Sequence, residues 1–171
     1  MANAADFRSS VERTRSLTQQ IEEEVATLAY AAETAMGEAR ISAAHSAAAA
    51  FNSVAQRLRQ ADDDDEWSRT LVEAASEYAT KALWIARSED AAPAVRSAIE
   101  SGETTVCAVT AGELGDTAEL LSECARAWLI PVGARGSEPL GVLCAADAHE
   151  PELASLELLG CLAAGSAPVR S

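Results

Sequence analysis

Thiols, imidazoles and clustered carboxylates are the side chains here that could do chemistry. Cys107, Cys124, Cys144 and Cys161 are four potential nucleophiles or metal ligands. None stands in C-x-x-C spacing and each sits in an apolar run, so the pattern predicts buried thiols acting as small hydrophobes, with no disulfide framework. His45 lies in an alanine-rich stretch, and His149 sits in the segment Asp147-Ala148-His149-Glu150. With no H-E-x-x-H and no Cys/His cluster they make no metal set, and His149 reads as a turn residue just before the last helix. The run ADDDDE at 61–66 lacks the glycine and the distal glutamate of a calcium loop. Its aspartates suit the positive end of a helix, so they are expected to cap one. No G-x-S-x-G elbow and no phosphate loop are present. No catalytic residue and no metal ligand is predicted, the sequence leaves any cofactor unknown, and the chain reads as a non-enzyme.

The elements that must position these residues centre on the stretch 127–147, AWLIPVGARGSEPLGVLCAAD. Trp128, Ile130 and Val132 alternate with Leu129 and Pro131. Leu140, Val142 and Cys144 alternate with Gly141, Leu143 and Ala145. Both faces of each strand are therefore apolar and both are expected to be covered. The polar link 133–139 carries two glycines and a proline, as a hairpin connection should. Pro131 has no N–H to donate, which predicts that the first strand is not laddered along its whole length on both sides.

Composition narrows the partners. A formal net charge of −14, from 13 basic and 27 acidic residues, leaves nothing to neutralise a phosphate track, which argues against nucleic acid and against anionic membrane surfaces. No apolar run is long enough to span a bilayer and the N-terminus lacks the order of a secretory signal, so the expectation is a cytoplasmic protein.

From residue 9 to residue 60 there is no proline and one glycine, Gly37, amid abundant alanine. A single long helix is predicted, opened by capping-box spacing at Ser9 and Glu12 and extending on the order of 75 Å. Positions 7, 14, 21, 28 and 35 and positions 11, 18, 25, 32 and 39 form heptad columns, strongest at Ile21, Val25 and Leu28. After Ala39 the best apolar line passes through Ala43, Ala47, Ala50, Phe51, Val54 and Leu58, out of phase with the first, which predicts a straighter or kinked piece near 37–47. Such an arm has too little core to stand alone, so a homodimer through the N-terminal helix is expected, with Ile21, Val25, Leu28, Val54 and Leu58 at the interface. The arm is assigned to residues 1–63 and a globular domain to 64–171.

Beyond the arm the order is helix, strand (82–86), helix from Pro93 ended by Gly102, strand (104–110), a short helix capped by Asp116, the hairpin, and a leucine-rich helix from Pro151. Strands mixed with helices and ending in an antiparallel pair indicate an α+β fold. On these elements residues 64–167 resemble a GAF domain, a small-molecule sensor fold of the GAF/PAS-like class. The likeness rests on the helix and strand of 67–86, the segment AAPAVRSAIESGETTVCAV, the pairing of AWLIPV with PLGVLCAAD, and the closing helix PELASLELLGCLAAG. The family's second strand is missing, because only residues 87–92 separate the first strand from the helix at Pro93.

The resemblance implies an antiparallel sheet flanked by helices, and a regulatory or signalling role with a small-molecule effector. The residues expected to line its ligand site are Trp84, Cys107, Trp128, Ile130 and Cys144. It also leaves two alternatives open: a structural adaptor with a ligand-free domain, and, behind it, a thiol-based redox enzyme, since some GAF-fold enzymes reduce oxidised methionine with cysteines.

Overall fold

The computed structural model describes residues 4–133 and 137–167, with side chains at Glu12 and from Arg15 onward. The fold is α+β. The unbroken helix α1 (Ala4–Gln60) is followed by α2 (Asp64–Ala75), β1 (Lys81–Ala86), α3 (Pro93–Ser101), β2 (Thr105–Ala108), α4 (Ala111–Leu114), α5 (Thr117–Leu120), β3 (Arg126–Val132), β4 (Gly141–Ala146) and α6 (Glu150–Ala164). α1 begins ahead of the expected capping box, and the Ser9 side chain lies outside the described residues. The chain divides into two compact units, Met1–Ala49 and Ala50–Ser171. The described residues of the first are all in α1; the second takes in the last turns of α1 together with every other element.

The acidic run behaves as a helix cap. Asp63 is the N-cap of α2, its carboxylate accepting from the Glu66 N–H at 2.7 Å, while the Glu66 carboxylate accepts from the Asp62 N–H at 3.0 Å. Two donors that α2 cannot satisfy within itself are thereby paired. Among the described residues no group of three or more histidines, cysteines or carboxylates could hold a metal ion.

The four strands form one antiparallel sheet in the order β1-β4-β3-β2. The hairpin is its centre, as its doubly apolar strands demand: all six residues of β4 are buried. Pro131 is tolerated inside the sheet because β2 pairs only with residues 126–129 of β3, so Pro131 faces a strand partner on the β4 side alone. Gly141 is required by packing, since a Cβ there would lie 2.7 Å from the Trp84 ring. Gly102 closes α3 in the left-handed conformation, φ 66°.

Alternation along the strands sends side chains to two separate cores. One is built by Ala82, Ile130, Val132, Leu143 and Ala145 with Leu58 of α1, Trp67 and Leu71 of α2, and Leu156 and Leu159 of α6. The other holds Ala127, Leu129, Val142, Cys144 and Ala146 under Val95, Ala98 and Ile99 of α3 and Leu114 of α4. Two expectations are corrected here. The helix expected over 117–127 is only the single turn α5, residues 126 and 127 already belonging to β3, and a further turn, α4, precedes it across Gly115 at φ 57°. Asp116 itself is helical and makes no side-chain cap.

Candidate functional site

The five residues expected to share a ligand site do not converge. Trp84, Trp128 and Ile130 belong to the core under α2 and α6, whereas Cys107 and Cys144 belong to the core under α3. The correction follows from strand geometry: a residue's parity along a strand, once its neighbours are fixed, decides its face, and these five fall on both. Ile130 and Cys144 are buried, and Trp84, Cys107 and Trp128 are half-buried. Trp84 is closed over by Trp67, whose ring meets it edge-on at 5.2 Å between centroids and 81° between planes. Trp67 is buried and its indole N–H has no hydrogen-bond acceptor among the described residues. Ile130 carries the close approach of α6, where a Cβ on Gly160 would stand 3.2 Å from its Cγ2.

The thiols are held in their inert form. Burial pushes Cys144 up to about 12, with the neighbouring Cys107 and Cys124 adding to the shift. Burial also raises Cys107, helped by Glu113, and raises Cys124, where the Asp147 carboxylate contributes. Nucleophilic or metal-binding cysteine needs the thiolate, and each of these environments disfavours it. All four cysteines are free, and Cys161 is exposed. His45 and His149 are both exposed; His149 stands at the N-cap of α6 without a side-chain capping bond.

Asp147 does more than its place in the sequence suggests. It is the one described non-glycine residue with positive φ, at 49°. From that turn its carboxylate accepts from the N–H groups of Ala125 and Arg126 at 3.1 Å each and from the Cys124 thiol. Its own N–H donates to the Arg126 carbonyl at 2.9 Å. The end of β4 is thus clasped to the start of β3. The backbone donors at Arg126 and Ala125 hold the carboxyl below its ordinary range. The sequence shows only an aspartate immediately after a strand; its partners lie across the sheet, beyond the reach of a local side-chain-to-backbone pattern.

An open groove of about 1660 Å³ lies elsewhere, lined by Arg87, Arg96, Glu100, Gly102, Glu138 and Leu140 among others, and by none of the five expected residues. Its two arginines are engaged: Arg87 pairs with Glu138, and Arg96 donates to the Ala91 carbonyl at 3.0 Å.

The expected interface residues divide. Ile21, Val25 and Leu28 are exposed, and Leu17, four residues before Ile21 and overlooked in the heptad columns, joins them; the four range from 55% to 69% exposed. Val54 and Leu58 do not belong with them. Leu58 is 1% exposed and Val54 packs against the same core, both covered by the chain's own elements. The out-of-phase line after Ala39 therefore ends on the sheet's core, which removes Leu58 from any surface a second chain could reach.

Among the described residues no helix is long and apolar enough to cross a membrane. No protein-family model matches the chain, and comparison with curated proteins finds no match.

Proposed function

We propose that this protein is a non-enzymatic, cytoplasmic regulatory component that works as a homodimer through α1, its α+β unit serving as a GAF-like adaptor body. The observation that carries this reading is the exposed stripe Leu17, Ile21, Val25 and Leu28 on a 57-residue helix. Aliphatic side chains at coiled-coil spacing that find no cover in their own chain are stabilised by a second helix with the same stripe. The GAF-like part is supported by the arrangement of the β3–β4 hairpin with β1 beside β4 and α6 following. The adaptor part is supported by two filled cores and thiols kept protonated. The net charge of −14 keeps nucleic acid and anionic lipid out of the reading.

Mass measurement by light scattering at tens of micromolar tests the dimer: a dimer is expected, and a monomer sinks the proposal. The open groove beside Arg87 and Arg96 favours a second reading, a small-molecule sensor. Thermal stabilisation by a nucleotide or small organic acid, abolished by Arg96→Ala, would favour that sensor over the adaptor.

A further inference from the structure

β2 is the last strand of the sheet, and only its β3 side is paired. Beyond the strand's end the Val109 N–H still donates to the Ala125 carbonyl at 3.1 Å. Antiparallel bonding alternates along a strand, so with Thr105 opposite Leu129 and Cys107 opposite Ala127 the odd-numbered residues spend their backbone groups on β3. The N–H and C=O of Val106 and the N–H of Ala108 therefore point off the edge, where no described residue meets them. The Ala108 carbonyl is taken by the Thr110 N–H at 3.0 Å. Natural edges are commonly guarded by charge or proline. Residues 104–110, TTVCAVT, carry neither, and Val106 is 49% exposed. Main-chain donors and acceptors left free in strand geometry are matched by an extended chain.

The side chains along the edge say which kind of chain. Val106 lies opposite Trp128 and shares its face, the one over which α6 packs, and both Val106 and Ala108 are exposed. Cys107 lies on the other face, against the core under α3, and the Glu113 carboxylate is near enough to raise its thiol. Glu103 stands two residues before β2. Both glutamates are exposed, and neither has an ion-pair partner among the described residues. Arg126, opposite Ala108, sets its charge against Asp147. Charge therefore disfavours a second β2. In the symmetric antiparallel pairing centred on Val106, Cys107 of one copy falls opposite Thr105 of the other, which brings Glu113 of the first toward Glu103 of the second. A strand with a basic side chain toward each glutamate and small branched apolar ones beside Val106 meets both demands.

We infer that the free edge of β2 takes up an extended segment of another protein, added antiparallel, in which β-branched apolar residues on one face alternate with basic and polar ones on the other. The inference goes beyond the self-association of α1 and does not depend on it.

The test is fluorescence anisotropy of a labelled peptide, acetyl-Thr-Lys-Val-Thr-Val-Lys-Thr-amide, titrated with the full chain. Saturable binding is expected. N-methylation of the two valines, whose N–H groups would face the edge, should weaken it by about tenfold or more. Glu113→Lys should weaken it as well, and a peptide with glutamate in place of both lysines should not bind. Val106→Pro removes an outward N–H that β3 does not use and should abolish binding while the circular dichroism of the chain is kept. No binding overturns the inference. Equal binding of the N-methylated peptide overturns it too, because charge alone would then hold the peptide. If Val106→Pro does not fold, the N-methylated peptide on the unaltered chain decides. If folded Val106→Pro has a lower mass in solution than the parent chain, a second copy occupies the edge and the inference fails.

Discussion

Ile21 and Leu58 are large aliphatic residues on the same helix, and they have opposite fates. Leu58 is closed over by α2, α6 and the sheet, while Ile21 is 59% exposed. The Ala50–Ser171 unit buries most of its large apolar side chains within one chain, leaving Val106, Leu120 and Leu158 exposed; the Met1–Ala49 unit leaves Leu17, Ile21, Val25 and Leu28 exposed. An apolar stripe on a helix therefore states that something covers it, and leaves open whether that something is the same chain or another.

The largest expected effect breaks this contrast directly. Leu58→Ala should cost about 2–5 kcal/mol of unfolding free energy, since it removes a fully buried side chain and leaves a cavity, and the loss should not depend on protein concentration. Ile21→Ala should instead weaken association and shift the midpoint in a concentration-dependent way. Urea unfolding of both variants at two concentrations at least tenfold apart checks it. Matching behaviour of the two would erase the distinction between the units.

Next in size is Asp63→Ala. Removing the N-cap carboxylate of α2 leaves the Glu66 N–H unpaired, at a cost of about 1 kcal/mol. Because α2 packs on the core of its own unit, the loss should appear in unfolding and leave the mass in solution unchanged. A change in oligomeric mass would overturn that expectation.

What could be read from the sequence divides along the same line. The hairpin, the cap at Asp63 and the Gly102 stop are local, written in alternation and in residue types with short-range reach, and each is found where those signals put it. Leu58 and the five residues expected around a ligand failed for a shared reason: both depend on which distant element covers a face. Trp84 and Cys144 each looked inward, but only the strand order β1-β4-β3-β2 decides which of two cores each enters. The Asp147 clasp was missed because its partners, Ala125 and Arg126, are more than twenty residues away in the chain.

That clasp sets a smaller, pH-dependent prediction. A carboxyl held below its ordinary value in the folded state stabilises the fold fully above the unfolded value, near 3.8, and loses that contribution as pH falls through the lower folded value. Acid unfolding should therefore retain a component below pH 3.8 that Asp147→Asn removes. Asparagine keeps one acceptor for the Ala125 and Arg126 N–H groups but does not titrate. An unchanged acid profile would deny the clasp its charge.

The alkaline limb carries the smallest effect and tests the chemistry of the α+β unit from the other side. Cys144 is raised from 9.0 to about 12 by burial, so between those values the unfolded chain ionises this thiol while the folded chain keeps it protonated. The folded state then binds more protons than the unfolded one, and stability falls as pH rises from about 9 toward 12. Cys144→Ala or Cys144→Val should flatten that slope, whereas Cys161→Ser, at an exposed site, should leave it unchanged. The same difference orders reactivity: at pH 8 a thiol reagent should modify Cys161 promptly and Cys144 only as fast as the unit opens. Rapid modification of Cys144 in the native chain would expose a thiolate at the heart of the sheet, and with it would restore the redox reading that the two filled cores argue against.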